Sequence, residues 1–128
     1  MAAKEAISTP NAPAAVGPYS QALKSADLLF LSGQIPLDPA TKALVPGDIA
    51  TQAEQVMRNL GAVLEAAGAS FQDVLKTTIY LVDLNDFGRV NEVYGSFFES
   101  SPPARATVGV AALPLGARIE IDAIARLP

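Results

Sequence analysis

The chain has 128 residues and a formal net charge of −4, and half of its residues are hydrophobic. This length fits one domain with a real core, and the negative charge disfavours non-specific binding to nucleic acid or to an anionic membrane. The sequence contains no Cys and no His, which excludes disulfides, thiolate or imidazole metal ligands and a Ser-His triad. Any chemistry must therefore use carboxylates, cationic side chains, hydroxyls, backbone groups and water.

The N-terminal segment, residues 1–18, is interrupted by Pro10, Pro13 and Pro18. It is predicted to be an extended arm without regular secondary structure that lies against the body of the protein. It lacks a basic region followed by a long apolar core, so we do not expect a secretory signal. No apolar run reaches membrane-spanning length, and the expectation is a soluble cytoplasmic protein that does not bind membranes.

A β-hairpin is predicted next, with strands over residues 19–23 and 28–32 and a turn over 24–27. Its second strand is apolar on both faces, so we expect it to be central in a sheet and covered on both sides. The strand leads into Ser32 and Gly33, and a glycine there permits close approach by a neighbouring chain or a ligand. A strand that simply ends in a turn explains these residues equally well.

Two amphipathic helices follow, one on each side of a β-strand. The first is predicted from its N-cap Asp48 to residue 67, and Gly68 is the predicted stop signal. The strand covers 74–82, and its alternation places Leu75 on one face and Val74 on the other. The second helix covers about 86–98. Asn91 lies beside the apolar stripe of this second helix. Its side chain is interpreted as a polar contact that ties the helix to a loop, and contact with a ligand is the alternative.

The C-terminal stretch contains two further alternating segments, on either side of a short connection with proline and glycine. Such a connection favours antiparallel neighbours. That pairing would place Arg105, Thr107 and Glu120 on one surface of the sheet. One interpretation is an anion site with a base nearby. The other, which the spacing alone favours, is a solvated strand face with a surface ion pair.

These elements predict a single α+β domain over residues 1–128, with two helices on one face of a sheet of four to six strands. The strands before and after each helix should be parallel. The other face would carry apolar residues such as Tyr80 and Val82 beside Arg105, Arg118 and Glu120. This mixture is too apolar for water and too charged for the core of a monomer. Burial against another subunit would satisfy both requirements.

A resemblance to a known family rests on six segments in order along the chain: Asn11–Ala22, Ser32–Pro36, Lys76–Leu84, Val90–Tyr94, Pro103–Val108 and Ile119–Ala125. They resemble the Rid (reactive imine deaminase, YjgF) family. The resemblance implies a chorismate-mutase-like two-layer sandwich with a mixed sheet, and a homotrimer with active sites between subunits. It also implies hydrolysis of 2-imino acids such as 2-iminobutanoate and 2-iminopropanoate to 2-keto acids and ammonia. This activity would protect pyridoxal-phosphate enzymes and would need no metal or cofactor.

The resemblance also assigns expected roles. Arg105 matches the arginine that binds the substrate carboxylate, and Glu120 matches the carboxylate that positions, and can deprotonate, the attacking water. Thr107 stands where some members have Cys and would act mainly through its backbone. The remaining matches are positions that line the cleft: Tyr19, Ser32, Gly33 and Asn91. With these roles, the resemblance overturns the preference for a surface ion pair.

Three alternatives to an enzyme remain at this point. The same clefts could serve a protein that binds keto acids for regulation. An RNA-acting inhibitor of translation is a weaker alternative, because the chain is acidic and has no His for acid–base chemistry near neutral pH. The apolar composition would also be compatible with a chaperone.

Overall fold

A computed structural model describes residues 3–128 of the chain. These residues form one six-stranded mixed sheet with two α-helices packed on one of its faces. The helices are α1 (Ile49–Ala66) and α2 (Phe87–Gly95), and the strands are β1 (Glu5–Ile7), β2 (Ala22–Ser25), β3 (Leu28–Gln34), β4 (Val74–Leu81), β5 (Ala104–Gly109) and β6 (Ile119–Arg126). The spatial order of the strands is β1-β2-β3-β6-β4-β5. The predicted α+β two-layer sandwich is therefore confirmed.

The two helices begin and end for local reasons. The carboxylate of Asp48 accepts a hydrogen bond from the backbone N–H of Thr51 at 3.0 Å and caps α1, as predicted. Gly68 follows α1 with a φ of +83°, a conformation that suits glycine. Helix α2 is shorter than predicted and ends at Gly95, since glycine is a poor helix former. No helix within residues 3–128 is long and apolar enough to cross a membrane.

The hairpin is present, but its first strand is Ala22–Ser25 and not 19–23 as predicted, because the turn needs only residues 26–27. The arm before it contains more structure than predicted. Strand β1 pairs antiparallel with β2, because the prolines of the arm begin only at Pro10 and leave Glu5–Ile7 free to pair. The arm lies against the body at Thr9 and Ala12, as expected, but its apolar stretch does not do so throughout, because Val16 is 86% exposed. The buried Gln21 side chain accepts a hydrogen bond from the N–H of Thr9 and donates to the carbonyls of Thr9, Ala12 and Pro13.

The predicted pairing of the two C-terminal strands is wrong, because β4 lies between them. Strand β4 pairs parallel with β5 and antiparallel with β6. The connection over residues 110–118 spans the end of β4: the N–H of Val110 donates to the carbonyl of Leu81, and the N–H of Val82 donates to that of Arg118. The strands on either side of α1 and of α2 are parallel, as expected.

The start of β4 also differs from the alternation in the sequence. Val74 is buried and Leu75 is exposed, the reverse of what continuous alternation from the buried Thr77 and Ile79 gives. The pairing between β4 and β6 shifts between Val74 and Lys76. One extra residue in a strand exchanges the faces of the residues before it, which explains the difference.

The face of the sheet opposite the helices, called the open face below, is uncovered in a single chain. Strand register brings its side chains together: Phe30, Lys76, Thr78, Tyr80, Ala106, Val108, Glu120, Asp122 and Ile124. Phe30 is 44% exposed and Val108 is 41% exposed. Strand β3 was expected to be covered on both sides, but within one chain only its Leu29 and Leu31 face is buried.

Candidate functional site

The residues that the sequence predicts for one site lie on two different surfaces of the chain. Arg105 pairs in register with Thr77, which is buried beneath α2, whereas Glu120 pairs with Tyr80 on the open face. Residues paired across strands point to the same side, and positions 77 and 80 on one strand point to opposite sides. The prediction that Arg105, Thr107 and Glu120 share one surface is therefore wrong within one chain. It failed because it assumed that β5 and β6 are direct neighbours.

The first surface, called the arginine site below, is formed by β5 and α2. The guanidinium of Arg105 lies over the rings of Phe87 and Tyr94, at 5.3 and 5.1 Å from the ring centroids. Its Nη1 donates a hydrogen bond to Oδ1 of Asn91 at 2.8 Å. Cation–π contacts and one hydrogen bond fix the plane of the guanidinium, which still has other N–H donors for an anion. Asn91 thus holds the arginine and does not tie the helix to a loop.

An open cavity of about 450 Å³ adjoins the arginine site and is lined by Leu84, Phe87, Arg105 and Thr107. Thr107 lies on the same side of β5 as Arg105. Its Oγ1 atom is buried and has no hydrogen-bond partner within residues 3–128. Phe87 and Tyr94 belong to the apolar stripe of α2, where aromatic residues are typical of a core, and Tyr94 is indeed buried. Phe87 lies four residues before Asn91 and Tyr94 three residues after it, so each is about one turn away on the same face of α2. This spacing was the signal that could have revealed them as the support for Arg105.

The second surface, called the glutamate site below, surrounds Glu120 of β6. It borders a larger cavity of about 590 Å³. Predicted cleft residues line this cavity together with the N-terminal arm and the loops after β3 and before β6: Pro13, Ala14, Val16, Tyr19, Gln21, Ser32, Gly33, Gln34, Ile35, Leu37, Pro114, Leu115 and Glu120. Most of these residues are apolar.

Gly33 makes room for the Glu120 carboxyl group. A Cβ atom at position 33 would lie 2.8 Å from Cδ of Glu120, closer than side chains approach one another. The register between β3 and β6 shifts at this point. Ser32 has a structural contact, because its hydroxyl donates to the carbonyl of Ser20. Tyr19 is half exposed at the rim, where its hydroxyl accepts a long hydrogen bond of 3.4 Å from the N–H of Val16.

The surroundings of Glu120 favour its protonated form. Burial, followed by the negative charge of Asp122, raises the pKa of the Glu120 carboxyl group. Asp122 lies two residues further along the same face of β6 and accepts a hydrogen bond of 2.9 Å from the hydroxyl of Tyr80. That bond is also the main cause of a raised pKa of Tyr80. A carboxylate with a raised pKa is a stronger base at neutral pH than an ordinary glutamate.

The described residues thus provide a fixed guanidinium with N–H donors beside a cavity on one surface and a partly desolvated carboxylate on another. Within residues 3–128 there is no group of three or more acidic side chains placed to hold a metal ion. The fold and the two sites define a small α+β protein of the chorismate-mutase-like type, with cavities suited to a small carboxylic acid.

Comparisons with known proteins identify the family. The family model described as Endoribonuclease L-PSP matches residues 9–127. A solved structure of YyfA from Yersinia pestis, a protein of the Rid family, superposes with a TM-score of 0.96 at 47% identity and covers 98% of this chain and 100% of that chain. The chain belongs to this family, the Rid family, as the sequence resemblance predicted.

Two curated relatives are similar over nearly their full length. Protein DfrA from Myxococcus xanthus is 59% identical over 125 residues, which cover 96% of this chain and 95% of that protein. The 2-iminobutanoate/2-iminopropanoate deaminase of Mus musculus is 53% identical over 122 residues, which cover 95% of this chain and 90% of the mouse protein.

Proposed function

We propose that this protein is a hydrolytic deaminase that converts 2-imino acids, such as 2-iminobutanoate and 2-iminopropanoate, into 2-keto acids and ammonia. The observation that carries the proposal is the position of the Arg105 side chain. Its guanidinium is fixed by two aromatic rings and Asn91, and it faces a cavity. A guanidinium held in this way suits the carboxylate of a small acid. The similarity to the mouse deaminase supports the reaction class.

The chemistry requires only groups that the chain possesses. Arg105 binds the carboxylate and orients C2 of the protonated imine, which is already electrophilic. Glu120 accepts a proton from a water molecule as the water oxygen bonds to C2. The proton is then passed to the nitrogen, and the C–N bond breaks to release ammonia. As the carbonyl forms, the hydroxyl group gives its proton to Glu120, and ammonia takes up this proton to leave as ammonium. One iminium carboxylate and one water give one keto acid and one ammonium ion, and no cofactor enters this balance.

The assembly that we propose is a homotrimer with three active clefts between subunits. In each cleft the arginine site of one copy faces the glutamate site of another. The separation of the two sites on opposite faces of the sheet supports this arrangement, because joint action needs a second copy. The apolar side chains of the open face, including Phe30 and Val108, also favour burial between copies.

The other predicted residues take supporting roles in the proposed cleft. Tyr19 covers the substrate from the rim of the glutamate site, and Ser32 and Gly33 form the wall beside Glu120. Thr107 contributes its backbone next to Arg105. We further propose that the protein acts in the cytoplasm on imines released by pyridoxal-phosphate enzymes and protects those enzymes from damage.

No specific feature of the structure favours the alternative functions. A protein that only bound keto acids would gain nothing from a carboxylate beside the anion, since two negative groups repel each other. The family model is described as an endoribonuclease, but a net charge of −4 opposes the binding of RNA phosphates.

A coupled assay tests the proposal. A pyridoxal-phosphate dehydratase would generate the imine from threonine, and the formation of 2-oxobutanoate would be followed with and without the protein. We expect the wild type to exceed the spontaneous rate of hydrolysis and Arg105→Ala to fall back to it. Arg58→Ala, on the exposed side of α1, is the matched control. Wild-type protein that binds 2-oxobutanoate without accelerating hydrolysis would replace the deaminase proposal with the binding-protein alternative.

A further inference from the structure

An ion pair joins the start of β6 to the start of α2. Nη2 of Arg118 lies 2.9 Å from Oδ2 of Asp86, and the side chain of Asp86 is only 15% exposed. Arg118 was predicted to lie on the uncovered face of the sheet, but its guanidinium is instead engaged by this carboxylate. Asp86 occupies the N-cap position of α2, yet within the described chain its side chain caps no helix N–H. Its carboxylate is therefore committed to Arg118.

Helix α2 is fixed near both of its ends by polar contacts. Near its C-terminal end, the hydroxyls of Tyr94 and Thr77 form a buried hydrogen bond of 2.7 Å. At its N-terminal end the ion pair with Arg118 serves this purpose. Arg118 is itself held firmly, because its backbone N–H donates to Oε1 of Gln52 on α1 and its carbonyl accepts from the N–H of Val82.

The N-terminal half of α2 carries two of the contacts that hold Arg105. Phe87 follows Asp86 directly and lies beneath the guanidinium, and Asn91 accepts its hydrogen bond one turn later. A shift of the first turn of α2 would therefore move both contacts together. The orientation of Arg105 depends on the position of this turn.

We propose that Arg118 is a positioning residue for the substrate carboxylate. Through Asp86 it fixes the first turn of α2, so that Phe87 and Asn91 hold the guanidinium of Arg105 in the orientation that binds the acid. This inference rests on the proposed role of Arg105.

A second ion pair on the same strand provides a matched control. Arg126, at the other end of β6, lies 3.5 Å from Asp27, and both side chains are more than 60% exposed. Exposed pairs of this kind contribute little. The pair of Arg118 differs in its shorter distance and in the burial of its carboxylate, so loss of the arginine would leave a largely buried charge without a partner.

The test uses Arg118→Ala, Asp86→Asn, Arg118→Lys and the control Arg126→Ala. The readouts are kcat and KM for imine hydrolysis and, by calorimetry, Kd for 2-oxobutanoate. We expect Arg118→Ala and Asp86→Asn each to raise KM and Kd about tenfold, less than the ~100-fold that a misplacement of 1 Å can cause. Arg118→Lys should recover most of the affinity, and Arg126→Ala should leave both constants unchanged.

The acid limb of the pH profile separates this effect from damage to Glu120, which lies two residues from Arg118. This acid limb should stay at the same pH in Arg118→Ala as in the wild type, since the base, Glu120, is unaltered. Unchanged Kd values in both Arg118→Ala and Asp86→Asn would overturn the inference, and so would an equal loss in Arg126→Ala. If the wild type binds 2-oxobutanoate but hydrolyses no imine, the deaminase proposal fails and the binding data still decide the role of Arg118.

Discussion

Gly33→Ala provides a direct test of the glutamate site, because a single methyl group would meet the Glu120 carboxyl group. The new Cβ would lie 2.8 Å from Cδ, whereas ordinary contacts begin at 3.4 Å. Because Oε2 of Glu120 lies closer still, the carboxyl group must move by at least ~0.6 Å. The backbone of Gly33 is not left-handed, so alanine itself fits the conformation.

The displacement affects catalysis far more than stability. A misplacement of 1 Å can cost ~100-fold in rate, so we expect kcat to fall between ~10-fold and ~100-fold. The free energy of unfolding should change by no more than about 1 kcal/mol, because the end of the Glu120 side chain can swing aside and alanine restricts the unfolded chain. Chemical denaturation measures the second quantity, and the coupled dehydratase assay measures the first.

Two controls make this prediction decisive. Gly95→Ala adds the same methyl group where no atom beyond its immediate neighbours in the chain and in α2 lies within 4 Å, and it should leave kcat unchanged. In a Glu120→Gln background, Gly33→Ala should cause no further loss, because the two changes act on one group. Wild-type kcat in Gly33→Ala, or a full additional loss in the double variant, would refute the proposed role of the Glu120 carboxylate.

Two further predictions concern the open face. Asp122→Asn removes the charge that helps to raise the pKa of Glu120, so that pKa should fall and Glu120 should stay ionised to lower pH. The acid limb of the pH profile of kcat should then move to lower pH, and a fixed limb would contradict this reasoning. Phe30→Glu places a charge on the surface proposed to be buried between copies, so light scattering should detect smaller species than for the wild type. A trimer that persists in Phe30→Glu would show that this face is not the interface.

Local signals in the sequence predicted the individual elements well. The cap at Asp48 and the stop at Gly68 gave the limits of α1 to within a residue or two, because both are set by neighbouring backbone groups. The hairpin was also predicted, although its first strand begins three residues later than expected. Strand β4 was found from alternation, although the register shift after Val74 was not. Such a shift depends on the partner strand, which a single stretch of sequence does not describe.

The arrangement of the site was less predictable for the same reason. Strand alternation and the resemblance both pointed to Arg105 and Glu120 as candidate residues, but their placement on one surface depended on which strand lies next to which. Because β4 inserts between β5 and β6, the face of each side chain follows the register with β4. The support of Arg105 by Phe87 and Tyr94 was missed, since aromatic residues on a helix stripe fit a core equally well.

The opposite orientation of Arg105 and Glu120 has a genetic consequence in the proposed trimer. Each subunit contributes Arg105 to one cleft and Glu120 to a different cleft. A subunit without Arg105 therefore still contributes Glu120, and a subunit without Glu120 still contributes Arg105. Two inactive alleles of these different kinds could therefore complement each other when their products assemble together. Conversely, one subunit that carries both lesions would inactivate two clefts and would act as a dominant inhibitor of its intact partners.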